Sequence, residues 1–230
     1  MTDARDTFLI DATGLFEASH KAFLGARLLI VDDEDCTVVF GVIRNLLHLR
    51  HSLGIDRGLV VIGEEAYGVT SRTNIQKTAA FLQQLGIRVV HDPLTRVVDL
   101  SLRFASVATG LVTHDRRLLL FATEGRRIIL LSGAESEVYT VDAVKSKFGV
   151  ILALLPAFLA LTDGPRLTVL TKREALAVLE RPEDLATTIA DPSVIPSRDL
   201  RNRLTTNGAV ILQRLKLSSC HRVTCALVRT

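Results

Sequence analysis

The sequence predicts an α/β fold: a mostly parallel sheet with helices on both faces, followed by a smaller helical region. Three observations carry this. Short continuous apolar runs, such as residues 58–62 (GLVVI) and 110–113 (GLVT), read as strands buried on both faces. These runs alternate with amphipathic stretches at helical spacing, the pattern of a doubly wound sheet. Beyond Leu131 the strand-like runs give way almost entirely to helical ones.

The elements follow in order. Residues 7–10 form a short β-like run that ends at Asp11 and turns through Ala-Thr-Gly. In an open α/β sheet ligands bind at the carboxyl ends of the strands, so an acid there is placed for chemistry. Residues 28–31 read as a second short strand or a helix end, and Asp32, Asp33, Glu34 and Asp35 as a solvated loop. Val39, Val42, Ile43, Leu46, Leu47 and Leu49 recur at helical spacing over residues 37–53, with Gly54 suited to the C-terminal cap. A strand over 58–62, a helix over 75–85 closed by Gly86, and a strand over 88–90 come next. A helix over 94–109, a strand over 110–113 ending at His114-Asp115, a short helix over 116–123 and a strand over 127–131 complete the alternation. After a short run at 138–141, helices are expected over 141–148, 150–161, 171–180, 182–189 and 197–215, the last capped by Ser197. Residues 218–230 read as a closing strand. The expected domains are 1–135, the α/β part, and 136–230, the helical part.

Composition bounds the function classes. At 230 residues and 48% hydrophobic, the chain has enough apolar content for one large domain or a domain with an appendage. Mean hydropathy is high, at +0.31. Yet the longest apolar run, 150–161, is interrupted by Pro156 and falls short of the roughly 20 residues a membrane span needs, so it reads as a buried core helix. The amino terminus carries early acids and no signal-like apolar region, and the expectation is a soluble, cytoplasmic protein with no membrane partner. The three cysteines, Cys36, Cys220 and Cys225, are sparse, match no zinc spacing, and suit a reducing compartment. A net charge of +3 permits nucleic-acid binding without requiring it, and the absence of Trp argues against base-stacking platforms.

Several segments, in order, resemble the metal-dependent 5′-3′ exonuclease and flap-endonuclease family, including the exonuclease domain of bacterial DNA polymerase I. They are FLIDATGLFEASHKAF (8–23), VFGVIRNLLHL (39–49), GLVVIGEEA (58–66), LVTHDRRLL (111–119), VYTVDAVKSKFGV (138–150) and FLALTDG (158–164). The resemblance implies a PIN-like (resolvase-like) sheet followed by a helix-hairpin-helix region. It also implies Mg²⁺- or Mn²⁺-dependent phosphodiester hydrolysis on DNA. In that chemistry, carboxylates at the sheet edge hold metals that activate water and stabilise the leaving oxygen. Matched to the family motifs, the retained metal acids are Asp11, Asp99, Asp115 and, one position out of register, Asp163.

The sequence departs from the family in three places. Gly63 stands where the Phe-Asp-Gly acid belongs, with Glu64 and Glu65 following as substitutes; Arg96, Val98 and Arg117 replace three further acids. An arginine cannot be deprotonated, and at ~5 Å and an effective dielectric of about 20 it repels a divalent ion by several kcal/mol. Arg96 and Arg117 are therefore expected either to pair with Asp11, Asp99 or Asp115 in place of metal or to hold a phosphate. Secondly, the basic arch that follows Phe-Asp-Gly in the family is reduced to GVTSRTN (68–74), with Arg72 and Lys77 as the bases in reach. Thirdly, the glycines of the helix-hairpin-helix are replaced by Val169 and Thr171. Lys172, Arg173, Arg198 and Arg201, with Arg203 and Arg214, remain as candidates for the duplex backbone.

No other constellation competes. The 32–35 acids lack the EF-hand glycine and terminal Glu. His114 reads as a turn histidine, His48 and His51 as surface or packing residues, and Ser101 and Ser106 have no matched His/Asp partner. The first expectation is a catalytically impaired DNA-binding homologue acting in replication or repair, with or within a DNA polymerase. The alternatives are an active 5′-3′ exonuclease or flap endonuclease with a reduced metal site, acting on duplex or 5′-flap DNA, and a protein-interaction domain.

Overall fold

The structure, a computed structural model, describes residues 7–23, 28–55, 57–122, 125–132, 135–163, 170–180 and 185–227. The chain divides into two compact units, Met1–Thr140 and Val141–Thr230.

The first unit is built on a six-stranded sheet of β1 (Thr7–Asp11), β4 (Arg57–Ile62), β5 (Arg88–His91), β6 (Gly110–Thr113), β7 (Arg127–Ser132) and β8 (Glu135–Tyr139). Their order across the sheet is β5-β4-β1-β6-β7-β8. All neighbours run parallel except β8, which pairs antiparallel with β7. The remaining pair, β2 (Ile30–Val31) and β3 (Glu34–Asp35), makes a separate hairpin whose turn holds Asp32 and Asp33 at positive φ. The acidic run expected as a loop is thus a turn and its returning strand.

From β1 the chain moves outward through β4 to β5, then returns to place β6 on the other side of β1. The carboxyl ends of β1 and β6 therefore flank a topological switch point, where a crevice opens in such sheets. Phe8 and Ile10 of β1 join Leu15, Phe16, Val42, Leu46, Ile75 and Leu82 in one buried cluster with the first three helices, α1 (Thr13–Phe23), α2 (Thr37–Leu53) and α3 (Arg72–Gln84). Leu9, Leu59, Val61 and Leu111 alternate with them and are also buried, as expected of a sheet covered on both faces.

Helix α2 matches its expected limits, with Gly54 left-handed at its end and donating to Arg50 and His51 carbonyls. Helix α3 starts earlier than its apolar pattern indicated, because the Ser71 hydroxyl accepts the Asn74 N–H. The expected helix over 94–109 is shorter: α4 spans Val97–Arg103, followed by a 3-10 turn at Ala105–Val107. Asp92 holds the preceding residues in a turn by accepting from Leu94 N at 3.0 Å and Thr95 Oγ1 at 2.6 Å. The segment 116–121 is a 3-10 helix. The unit boundary falls after Thr140 because β8 is hydrogen-bonded into the sheet; the expected boundary at 135/136 lies inside that strand.

The second unit contains α5 (Val141–Phe148), α6 (Leu155–Thr162), α7 (Lys172–Leu179), α8 (Leu185–Ala190) and α9 (Arg198–Leu227). The expected helix over 150–161 is split, with a 3-10 turn at Leu152–Leu154 before α6 and Pro156 in its first turn. Residues 155–161 are all buried, so the apolar run is core. No single described helix is long and apolar enough to cross a membrane. Ser197 caps α9 by accepting from Leu200 N at 3.3 Å. Gly208 brings α9 against α8, since a Cβ there would lie 2.7 Å from Ile189 Cγ2. The strand expected over 218–230 is not formed: α9 continues to Leu227, with no Pro or Gly after Gly208 to stop it, and 228–230 lie outside the described residues.

Candidate functional site

Four strands of the parallel sheet carry the acidic edge. Asp11 ends β1 and is 5% exposed. Its Oδ1 accepts from Thr13 N at 2.9 Å, the first turn of α1, and its Oδ2 accepts from Thr113 Oγ1 at 2.8 Å, across the pairing of β1 with β6. Burial raises its carboxyl to about 6; those hydrogen bonds pull the other way, and the nearby Asp115 charge adds to the rise. Thr113 has a second partner, accepting from Asp115 N at 3.0 Å. One fully buried hydroxyl thus ties two acids of the edge together.

Asp115 caps the 3-10 helix after β6 by accepting from Arg117 N at 2.8 Å. It also receives the Arg117 side chain: Nε lies 2.9 Å from Oδ1 and 2.8 Å from Oδ2, and Nη2 lies 2.5 Å from Oδ2. The hydrogen bonds it donates to Asp115, and the further charges of Glu65 and Asp11, raise the pKa of this guanidinium above its ordinary value against the opposing effect of burial. Arg117 is therefore a cation shared by acids from β1, from the turn after β4 and from the turn after β6.

The other arginine behaves similarly. Arg96 precedes α4, and its Nε donates to Asp99 Oδ2 at 2.9 Å one turn on. Glu65 turns to the same helix start, where its Oε2 accepts from Val97 N at 2.8 Å. Glu64 is exposed, and Val98 is buried in the core. At Gly63 an added Cβ would lie 2.6 Å from Val97 N and 2.8 Å from Thr95 O, so the close approach of α4 leaves no room for any side chain. Only Val69–Ser71 separate the 3-10 turn Glu64–Gly68 from α3. Among the described residues, no group of three or more His, Cys, Asp or Glu is arranged to hold a metal ion.

Asp163 belongs to the second unit, where it follows α6 and its N–H donates to Leu159 O at 2.8 Å. In the same unit Thr171 and Glu174 form a capping box at the start of α7, and Glu174 Oε1 takes Arg203 Nη1 of α9 at 2.7 Å. That pair joins the first turn of α7, with exposed Lys172 and Arg173, to the start of α9, with exposed Arg198 and half-buried Arg201. Lys172 Nζ donates to Lys147 O at 2.6 Å. Val169 lies outside the described residues.

Some contacts near this edge were not legible in the sequence. Thr113 stood inside a quoted motif, but its bridging role needs the β1–β6 pairing. Tyr67, in the 3-10 turn after β4, and His91, at the end of β5, also meet, Oη to Nε2 at 2.6 Å, and no spacing rule links them. His114 is half-buried, its ring lies where a Gly14 Cβ would be, and burial lowers its pKa.

No protein-family model and no curated protein matches the sequence. Solved structures match by fold. A bacteriophage T5 flap endonuclease pseudo-enzyme–product complex with DNA and metal ions gives a TM-score of 0.62 at 9% identity, over 93% of this chain and 89% of that one. T5 5′-exonuclease with bound zinc gives 0.57 at 10% identity, over 93% and 89%. The catalytic core of Rad2 in complex with DNA substrate gives 0.59 at 17% identity, over 88% and 73%. At these identities the likeness is one of architecture: the chain has the mixed α/β fold seen in the 5′-exonuclease and flap-endonuclease structures.

Proposed function

We propose that this chain is a DNA-binding protein on the flap-endonuclease fold, impaired in two-metal hydrolysis because arginines have taken over its acidic edge. The observation that carries this is Arg117, whose guanidinium engages both oxygens of Asp115 and feels Glu65 and Asp11 as well. The residues present do not fit a pair of divalent ions. Asp115 and Asp99 are each engaged by an arginine, Glu65 by a backbone N–H, and Asp11 by two hydrogen bonds in a buried setting that favours its neutral form. Hard divalent ions need several open oxygen ligands, and a fixed guanidinium among them opposes a second cation. In this reading Asp11, Asp99 and Asp115 are remnants of a Mg²⁺ or Mn²⁺ site, and Arg96 and Arg117 hold the edge together in place of metal.

Lys172, Arg173, Arg198 and Arg201 are assigned to the DNA backbone, two from the start of each of two helices joined by the Glu174–Arg203 pair. The helix-hairpin-helix role of this segment, and action in replication or repair beside or within a DNA polymerase, are parts of the same proposal. A second reading, an active nuclease with a reduced metal site, draws support from Asp11, Glu65 and Asp115 lying near one cation at the ends of neighbouring strands.

Cleavage of a labelled 5′-flap duplex in Mg²⁺ and in Mn²⁺, with binding followed by anisotropy between about 50 and 200 mM salt, separates these. The expected result is no cleavage in either metal and binding that weakens steeply with salt. Cleavage that vanishes in Asp115→Ala would overturn the proposal in favour of the second reading. Neither binding nor cleavage would leave a protein-interaction role.

A further inference from the structure

Between α1, α2 and the β7–β8 edge of the first unit lies a half-open cavity of about 450 Å³. It is separate in composition from the acidic edge, which it meets only at His114. We propose that it binds an uncharged heteroaromatic molecule of nucleobase or nucleoside size.

The volume falls within the ~300–1,000 Å³ typical of small-molecule sites. The walls are apolar: Leu15 from α1, Leu49 and Leu53 from α2, and Leu131 from β7. The polar groups of α2 and β8 that line it are mixed in hydrogen-bonding character. Asn45, His48 and Ser52 lie on the same face of α2 as Leu49 and Leu53, at helical spacing, and Ser136 comes from β8. Together they offer an amide, an imidazole and hydroxyls, which can both donate and accept along the edge of a planar ring.

His114 completes the lining from the carboxyl end of β6. The absence of a side chain at Gly14 makes its position feasible, since a Cβ there would be 1.8 Å from His114 Nδ1. Nδ1 is buried without a partner, which leaves Nε2 as the nitrogen a ligand can reach.

Charge selects against phosphate. Among the described residues no lysine or arginine lines the cavity, and the one carboxylate there is Glu135. Lys21, the cation closest to hand on α1, is paired with Glu17 at 3.9 Å. A nucleoside suits this lining better than its 5′-monophosphate.

The test is calorimetric titration of the full chain with adenosine, guanosine, cytidine and thymidine, and with their 5′-monophosphates. At least one nucleoside is expected to saturate with a Kd below about 1 mM, and its monophosphate to bind about tenfold more weakly. Ala18→Trp, which fills the cavity, should abolish binding without changing the thermal midpoint. If that variant does not fold, Ser52→Trp on the exposed rim serves the same purpose, and His48→Ala should weaken binding severalfold. No saturable binding of any nucleoside, equal binding of the monophosphate, or undiminished binding by the folded blocking variant would overturn the assignment.

Discussion

Replacing Asp11 by Asn should stabilise this protein at neutral pH. Asp11 is buried at the end of β1, and burial raises its carboxyl from 3.8 to about 6. With the folded value above the unfolded one, the native state keeps the proton longer, and unfolding between these two values releases it. The associated stability is fully present below 3.8 and is lost as pH rises to about 6. A shift of about two units at 1.36 kcal/mol per unit makes that loss roughly 3 kcal/mol. Asparagine keeps an oxygen for the Thr13 N–H and carries no charge to bury. In urea titrations from pH 4 to pH 8, the variant should match wild type at the acid end and exceed it by about 1–3 kcal/mol at the alkaline end. A variant less stable than wild type at pH 8 would refute the reasoning, because it would mean that the Arg117 charge outweighs the burial of the ionised carboxylate.

Other consequences can be measured with the same material. Arg117→Met removes the cation shared by Asp115, Glu65 and Asp11; as the pair is partly exposed, the loss should be only about 1 kcal/mol, while Mn²⁺ should now raise the thermal midpoint, an effect absent in wild type. Thr113→Val removes the hydrogen bond to Asp11 Oδ2 and the acceptor of the Asp115 N–H, and should cost about 1–3 kcal/mol by chemical denaturation. Thr171→Ala breaks the α7 capping box and should lower stability by about 1 kcal/mol, with a corresponding fall in the calorimetric midpoint.

The fold was legible wherever one local signal sufficed. Residues 37–53 carry a helical apolar stripe and a glycine stop, and 58–62 a continuous apolar run, and both formed as read. The 94–109 segment misled because its periodic apolar residues say nothing of Asp92, whose carboxylate holds Leu94 and Thr95 in a turn. Residues 218–227 carry strand-like Val, Thr and Cys, but a long helix already under way extends more cheaply than a new strand nucleates. At the site, Asp11 and Asp115 stood out because strands end at them. Two of the expected pairings for the arginines, with Asp99 and with Asp115, are the ones formed; both are local. Glu65 could not be read this way: its acceptor role depends on the start of α4, thirty-two positions along the chain.

Gly63 has a bearing on how this molecule can change. Its Cα is pressed against the backbone entering α4, with 2.6 Å to Val97 N from where a Cβ would sit. A codon change that placed an aspartate there would meet the main chain, not a side chain able to swing aside, and would harm folding before any ion could bind. A side chain at this position requires α4 to retreat first, a step with no benefit of its own. The backbone thus closes position 63 to carboxylates, and any acid added to this edge would have to enter elsewhere.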